Sequence, residues 1–161
     1  MSENRHPQSA PRVVIESRRF GRLEVEEASI LEFPEGLVGF PDFRRFVLCD
    51  NRPGSAFKFM LSVDDPELAF AVVHPGDLVA GWVAPLERAR EELDAPDEDV
   101  AIFALVTIPE DPSAMTINLL APLAVNLRTR AGRQLVLDDP ALSPAYRVIP
   151  EPPPAASSPT A

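Results

Sequence analysis

The run AFKFMLSV, residues 56–63, alternates with a period of two, and that period more than any other feature limits what the chain can build. Successive side chains of a strand point to opposite faces. Phe57, Phe59, Leu61 and Val63 therefore share one face, and Ala56, Lys58, Met60 and Ser62 the other. RLEVE alternates in the same way, with Leu23 and Val25 opposed to Arg22, Glu24 and Glu26. VAIFALVTI, residues 100–108, is apolar on both faces, which predicts a central strand covered on both sides. AFAVVHP, residues 69–75, is a further short strand that Pro75 stops. LAVNLRTRAGRQLVLDD reads as a hairpin: Leu123, Val125 and Leu127 point inward, Gly132 supplies the turn, and Leu135 and Leu137 return.

Nineteen prolines keep these runs short. One segment has helical spacing. In PLERAREELD, residues 85–94, Pro85 suits a first helical position, Leu86, Ala89 and Leu93 share a face, and Arg88 and Glu92 form an i, i+4 pair. A helix this short needs a sheet to pack on. The expected fold is mainly β: a small antiparallel, barrel-like single domain with one short helix.

The ends differ from the middle. MSENRHPQSAPR is polar and carries Pro7 and Pro11, so residues 1–12 read as a disordered N-terminal segment. Residues 148–161 read as a disordered Pro-rich tail, PEPPPAASSPTA from Pro150 onward, with too little apolar surface to offset its ordering entropy. The β domain is left as residues 13–147, and 45% hydrophobic residues give it enough material for a core. A net charge of −10 argues against direct binding to nucleic acid or an anionic membrane and suits a basic protein partner. No signal-peptide core or long apolar run occurs, and a single cysteine makes no internal disulfide, so the expected setting is cytoplasmic. Cys49, inside RRFVLCD, reads as a small buried hydrophobe.

Little in the chain points to chemistry. His6 and His74 are the two histidines, and no Cys–His cluster exists, so neither metal nor cofactor is expected. There is no P-loop, no dinucleotide fingerprint and no nucleophile elbow. Ser62, His74 and Asp64 on neighbouring strands are the one nucleophile–base–acid set on offer, the basis of an alternative reading as a small hydrolytic or ligand-binding barrel. Asp64-Asp65-Pro66 reads more simply as a turn, and the chain as a non-enzyme.

Two stretches break the pattern of buried apolar and exposed polar residues. ILEFPEGLVGF, residues 30–40, places two glycines three positions apart in a chain with only 7; a corner between strands and a surface that receives a partner are both open readings, the corner being the simpler. MTINLLAPLAVN, residues 115–126, carries Asn118 inside an apolar run, where a backbone-bonding asparagine at a bulge and a docking loop are both open readings.

ILEFPEGLVGFPDFRRFVL, FKFMLSVDDPELAFAVVHP and VAIFALVTIPEDPSAMTINLLAPLAVNLRTRAGRQLVL stand in this order along the chain, and together they resemble the flagellar assembly factor FliW family. The Pro-rich tail, Cys49 and the Ala/Arg-rich helix segment depart from the pattern. The resemblance implies a small β-barrel-like fold without catalysis, and a cytoplasmic protein that binds flagellin. It also implies binding, in exchange, to a CsrA-type RNA-binding translational repressor of flagellin mRNA; a chaperone for flagellin alone is the alternative. A surface for such partners would combine acidic groups with a few apolar anchors. The candidates are Met60, Ser62 and Asp64, on the less apolar face and end of AFKFMLSVDD, together with Asn118 and Leu120.

Overall fold

The computed structural model describes residues 11–50 and 53–148. Among the described residues eleven strands and one α-helix follow one another: β1 (Arg12–Ser17), β2 (Gly21–Glu26), β3 (Leu31–Glu32), β4 (Arg45–Asp50), β5 (Phe57–Ser62), β6 (Ala69–Val73), α1 (Leu86–Leu93), β7 (Val100–Thr107), β8 (Thr116–Ile117), β9 (Leu123–Asn126), β10 (Gly132–Gln134) and β11 (Tyr146–Arg147). Strands β1 and β2 form a separate hairpin. The others make one antiparallel sheet in the order β10-β9-β7-β6-β5-β4-β3, with β8 on β7 and β11 on β8.

This sheet curls until its two ends meet. Glu32 of β3 bridges Ala131, just before β10, and the Glu32 N–H donates to the Arg130 carbonyl at 2.9 Å. The phenyl ring of Phe33 lies where a Cβ on Gly132 would stand, 2.5 Å from its nearest atom. The two ends share a seam rather than a full ladder, so the barrel is not closed.

Alternation along the strands sorts the side chains into two cores. Leu31, Phe33, Phe46, Met60, Val72, Phe103, Leu123 and Val125 fill the concave interior, with Leu48, Phe70, Ala101 and Leu105 packed against them. Three separate layers cover the outside. The β1–β2 hairpin lies over Val47 and Leu61, α1 lies over Ile102 and Ala124, and the segments around Val79, Met115, Ile117 and Val148 lie over Val73 and Ala104.

Covering on both sides corrects the reading of β5. The alternation holds, but the less apolar face turns inward. Met60 is fully buried at the centre of the interior, and Ser62 is fully buried at its edge. Phe57 and Phe59 are only half-buried on the outside, where Phe59 meets Phe20 with ring centroids 5.4 Å apart and the Arg19 guanidinium 4.7 Å above its ring. With an apolar layer outside, the charged member of the inward face, Lys58, reaches water only at the start of the strand, where it pairs with Asp50, and the unbranched Met60 suits the crowded inner side.

The helix is shorter than PLERAREELD by one residue at each end. Pro85 precedes it and Asp94 ends it in the left-handed conformation, φ 53°. Ala89 is its buried contact, and Arg88 reaches Glu92 at 3.2 Å. The β9–β10 hairpin is present, but its turn is earlier than expected: the positive φ falls on Arg130, at 68°, and Gly132 already belongs to β10. Gly132 is required for its close approach to Phe33, not for a turn. Leu127, expected inward, is exposed; Asn126 is buried instead, its Oδ1 accepting the N–H groups of Arg128 and Thr129.

The β domain is slightly wider than 13–147. Arg12 pairs with Glu26 at the start of β1. Val148, assigned to the tail, is buried among the outer core residues, and its N–H donates to the Met115 carbonyl at 3.1 Å. The expected disorder of residues 1–10 and 149–161 lies outside the described residues.

Candidate functional site

The five candidate residues do not form one surface. Met60 and Ser62 expose nothing. Ser62 Oγ accepts the Asp65 N–H at 2.9 Å and so closes the β5–β6 turn. Asp64 is exposed, but its Oδ2 accepts the N–H groups of Arg44 and Arg45 at 3.0 and 3.3 Å, and its Oδ1 lies 3.9 Å from the Arg45 guanidinium. This carboxylate ties the start of β4 to the end of β5. Asn118 and Leu120 are half-buried, with β6 and β7 between β5 and the edge they occupy.

Asn118 is explained by the register of β7. Strands β8 and β9 both pair with the same edge of β7: Ile117 opposes Val106, and Leu123 opposes Phe103. Residues 118–122 therefore stand opposite 104–105, a bulge of three extra residues. The Asn118 N–H donates to Leu105, and Asn118 Oδ1 accepts from Leu120 and Ala121 at 3.1 and 3.0 Å. The asparagine holds the bulge open, and Leu119 within it is buried in the outer layer.

The nucleophile–base set is not assembled. In the β5–β6 register Leu61 opposes Ala69 and Phe57 opposes Val73, so Ser62 and His74 lie at opposite ends of the pair. Six residue steps separate them along the pair, about 20 Å at the usual rise. His74 Nδ1 instead lies 3.0 Å from the Ile102 carbonyl, its ring over Phe103 with centroids 4.5 Å apart. Among the described residues no group of three or more His, Cys, Asp or Glu side chains is placed to hold a metal ion. Cys49 is half-buried against the hairpin, and burial first, then the charge of Asp50, raises its thiol pKa above the ordinary value.

Exposed apolar side chains gather in two places that sequence reasoning did not pair. The first is the loop from Glu35 to Pro41. Gly36 takes φ 69° with no room for a Cβ, since Pro41 Cα and O lie 2.6 Å from where it would stand. Gly39, φ 86°, completes a tight turn in which the Leu37 and Phe40 N–H groups donate to one another's carbonyls. Leu37 drops into the interior, and Val38 is left 67% exposed. The loop is fixed across the seam to β10: the Val38 N–H donates to Gln134 Oε1 at 2.7 Å, and Glu35 pairs with Arg133 at 3.1 Å. A cleft of about 330 Å³ lies between them, with Val136 at its rim. The second place is a groove of about 670 Å³ between residues 79–85 and 137–146, floored by Leu119 of the bulge.

A family model described as FliW protein matches residues 14–148, from β1 through the buried Val148. The chain belongs to the FliW family. The FliW match spans the hairpin except its first two residues, the whole sheet and β11, so every element that builds the seam and the two apolar sites lies within it. Over 129 residues the chain is 40% identical to the flagellar assembly factor FliW of Bdellovibrio bacteriovorus, covering 79% of this chain and 74% of that protein. It is 41% identical over 144 residues to the same-named protein of Magnetococcus marinus, covering 85% of each. A crystal structure of the flagellar assembly factor FliW superposes with a TM-score of 0.76 at 28% identity, covering 86% of this chain and 99% of that one. The FliW fold and the mainly β, one-helix architecture are thereby shown. No helix among the described residues is long and apolar enough to cross a membrane.

Proposed function

We propose that this chain is a cytoplasmic flagellar assembly factor that acts by binding, not catalysis. It holds flagellin and, in exchange, a CsrA-type RNA-binding translational repressor. The observation that carries this reading is the family match across residues 14–148. Two further features support it. The interior is filled by Phe33, Phe46, Met60 and Phe103, which leaves a substrate no place there. The charge of −10 favours approach of a partner whose own RNA site is basic. Docking belongs to the exposed apolar side chains and their acidic neighbours. Asp64, Asn118 and Leu120 position the frame, and the buried Met60 and Ser62 take no direct part.

Exchange requires that each partner lower the other's apparent affinity by the same factor. The test is a titration of the purified protein with the repressor, then with flagellin as competitor, at low and high salt. Flagellin should release the repressor, and repressor binding should weaken as salt screens the charges. A ternary complex with unchanged repressor affinity would sink the exchange, and binding of flagellin alone would leave a flagellin chaperone.

A further inference from the structure

The segment DLVAGWVAP, residues 77–85, turns sharply at Gly81, φ 78°. The turn lays Trp82 half-buried over two of the outer core clusters and leaves Val83, its neighbour, 82% exposed. Val83 and the half-buried Trp82 together give this side of the groove an apolar face, the kind of patch that marks interaction sites. Across the groove stand Leu142 and Tyr146, the tyrosine 41% exposed, with Leu119 as the floor. The groove's volume, about 670 Å³, lies in the range that receives a few side chains of another molecule. Its charged lining is one-sided: Asp138 and Asp139 stand on the rim, and no Lys or Arg lines it among the described residues.

We propose that this groove is a docking site for an amphipathic segment of a partner protein, with apolar side chains on the Trp82–Leu142 floor and Lys or Arg beside Asp138 and Asp139. Charge selects this occupant over the two others within reach. The chain's own residues 149–161, IPEPPPAASSPTA, carry Glu151 and no basic residue. A second copy carries another −10 charges toward an acidic rim. A basic, apolar segment satisfies both the floor and the rim. The proposal rests on the binding role proposed above, and it concerns only a partner segment of this chemistry.

The test is selection of a random-peptide phage library on the full chain. Enriched peptides should combine apolar positions with Lys or Arg. A synthetic copy should bind wild type and lose about tenfold or more in affinity to Val83→Glu, which spoils the apolar centre. Asp138→Lys should weaken it through the rim and reduce its salt dependence. Both side chains are exposed, so both variants should keep the wild-type thermal midpoint, and Val14→Glu, on the outer hairpin, should bind as wild type does. Failure to enrich any peptide, enrichment of peptides without basic residues, or equal binding by the groove variants overturns the proposal. Displacement of the selected peptide by a synthetic 149–161 peptide assigns the groove to the chain's own tail. A wild-type dimer that Val83→Glu dissociates assigns it to a second copy. Either outcome removes the partner segment.

Discussion

Met60 and Phe59 are neighbours, yet the fold treats them differently. Met60 sits at the centre of the filled interior, and truncation there leaves a cavity that close-packed neighbours cannot fill. Met60→Ala should therefore cost about 2 to 5 kcal/mol. Phe59→Ala, outside and half-exposed under Phe20 and Arg19, should cost less, about 1 to 3 kcal/mol. Denaturant midpoints rank the two, and the opposite order would mean that the faces of β5 are exchanged. The loop glycines give a second contrast. Both take positive φ, but only at Gly36 would a Cβ strike backbone. Gly39→Ala should lose about 1 to 2 kcal/mol for the left-handed conformation alone, and Gly36→Ala clearly more; thermal melts of the pair separate strain from collision. Cys49 adds a pH-dependent group. Its folded pKa is raised, so its contribution to stability is fully present below the ordinary thiol value, about 8.5, and is lost as pH rises through the folded one. At pH 8 a disulfide reagent should modify it slowly in the native protein and promptly once denaturant is added; equal rates would show an open thiol.

Among the elements, β7 was legible because its two faces are both apolar in sequence, and it does lie covered on both sides. Strand β5 was legible as a strand but not in its orientation. Alternation reports that two faces differ, not which one meets the layer outside, and here the outer layer comes from a distant hairpin. Strand β1 went unread because VVIES is short and follows a polar, proline-bearing stretch; pairing with β2 makes it a strand. Gly132 was misplaced for a related reason. A glycine in a hairpin suggests a turn, whereas its purpose here is set by Phe33, almost a hundred positions away. The apolar grooves were hidden because each joins segments that only the folded sheet brings together. Strand β11 supplies a test at this scale. Its two residues pair with β8 and bring Val148 into the outer core. Val148→Asp should lower the thermal midpoint by several degrees, as burial of an unpaired carboxylate costs a few kcal/mol. Deletion of 150–161 should leave the midpoint unchanged. A melt in which the deletion costs as much as the substitution would show the tail packing on the body.

For the molecule as a whole, the seam has a consequence during synthesis. Glu32 and Phe33 leave the ribosome early, while Ala131 and Gly132, their partners, are made near the end of the domain. Until then the nascent chain has most of its strands but no closing edge, and Phe33 lacks the Gly132 backbone it packs against. Contacts of such long sequence separation form late and slowly, and a sheet with an unpaired edge is the species that sticks to its neighbours. A chain stopped at Leu127 should accordingly bind a hydrophobic dye and precipitate as it is made, whereas the full chain does neither. The last few residues of the β9–β10 turn thus act as a latch on everything translated before them, and a stalled ribosome there leaves an open shell in place of a partly stable protein.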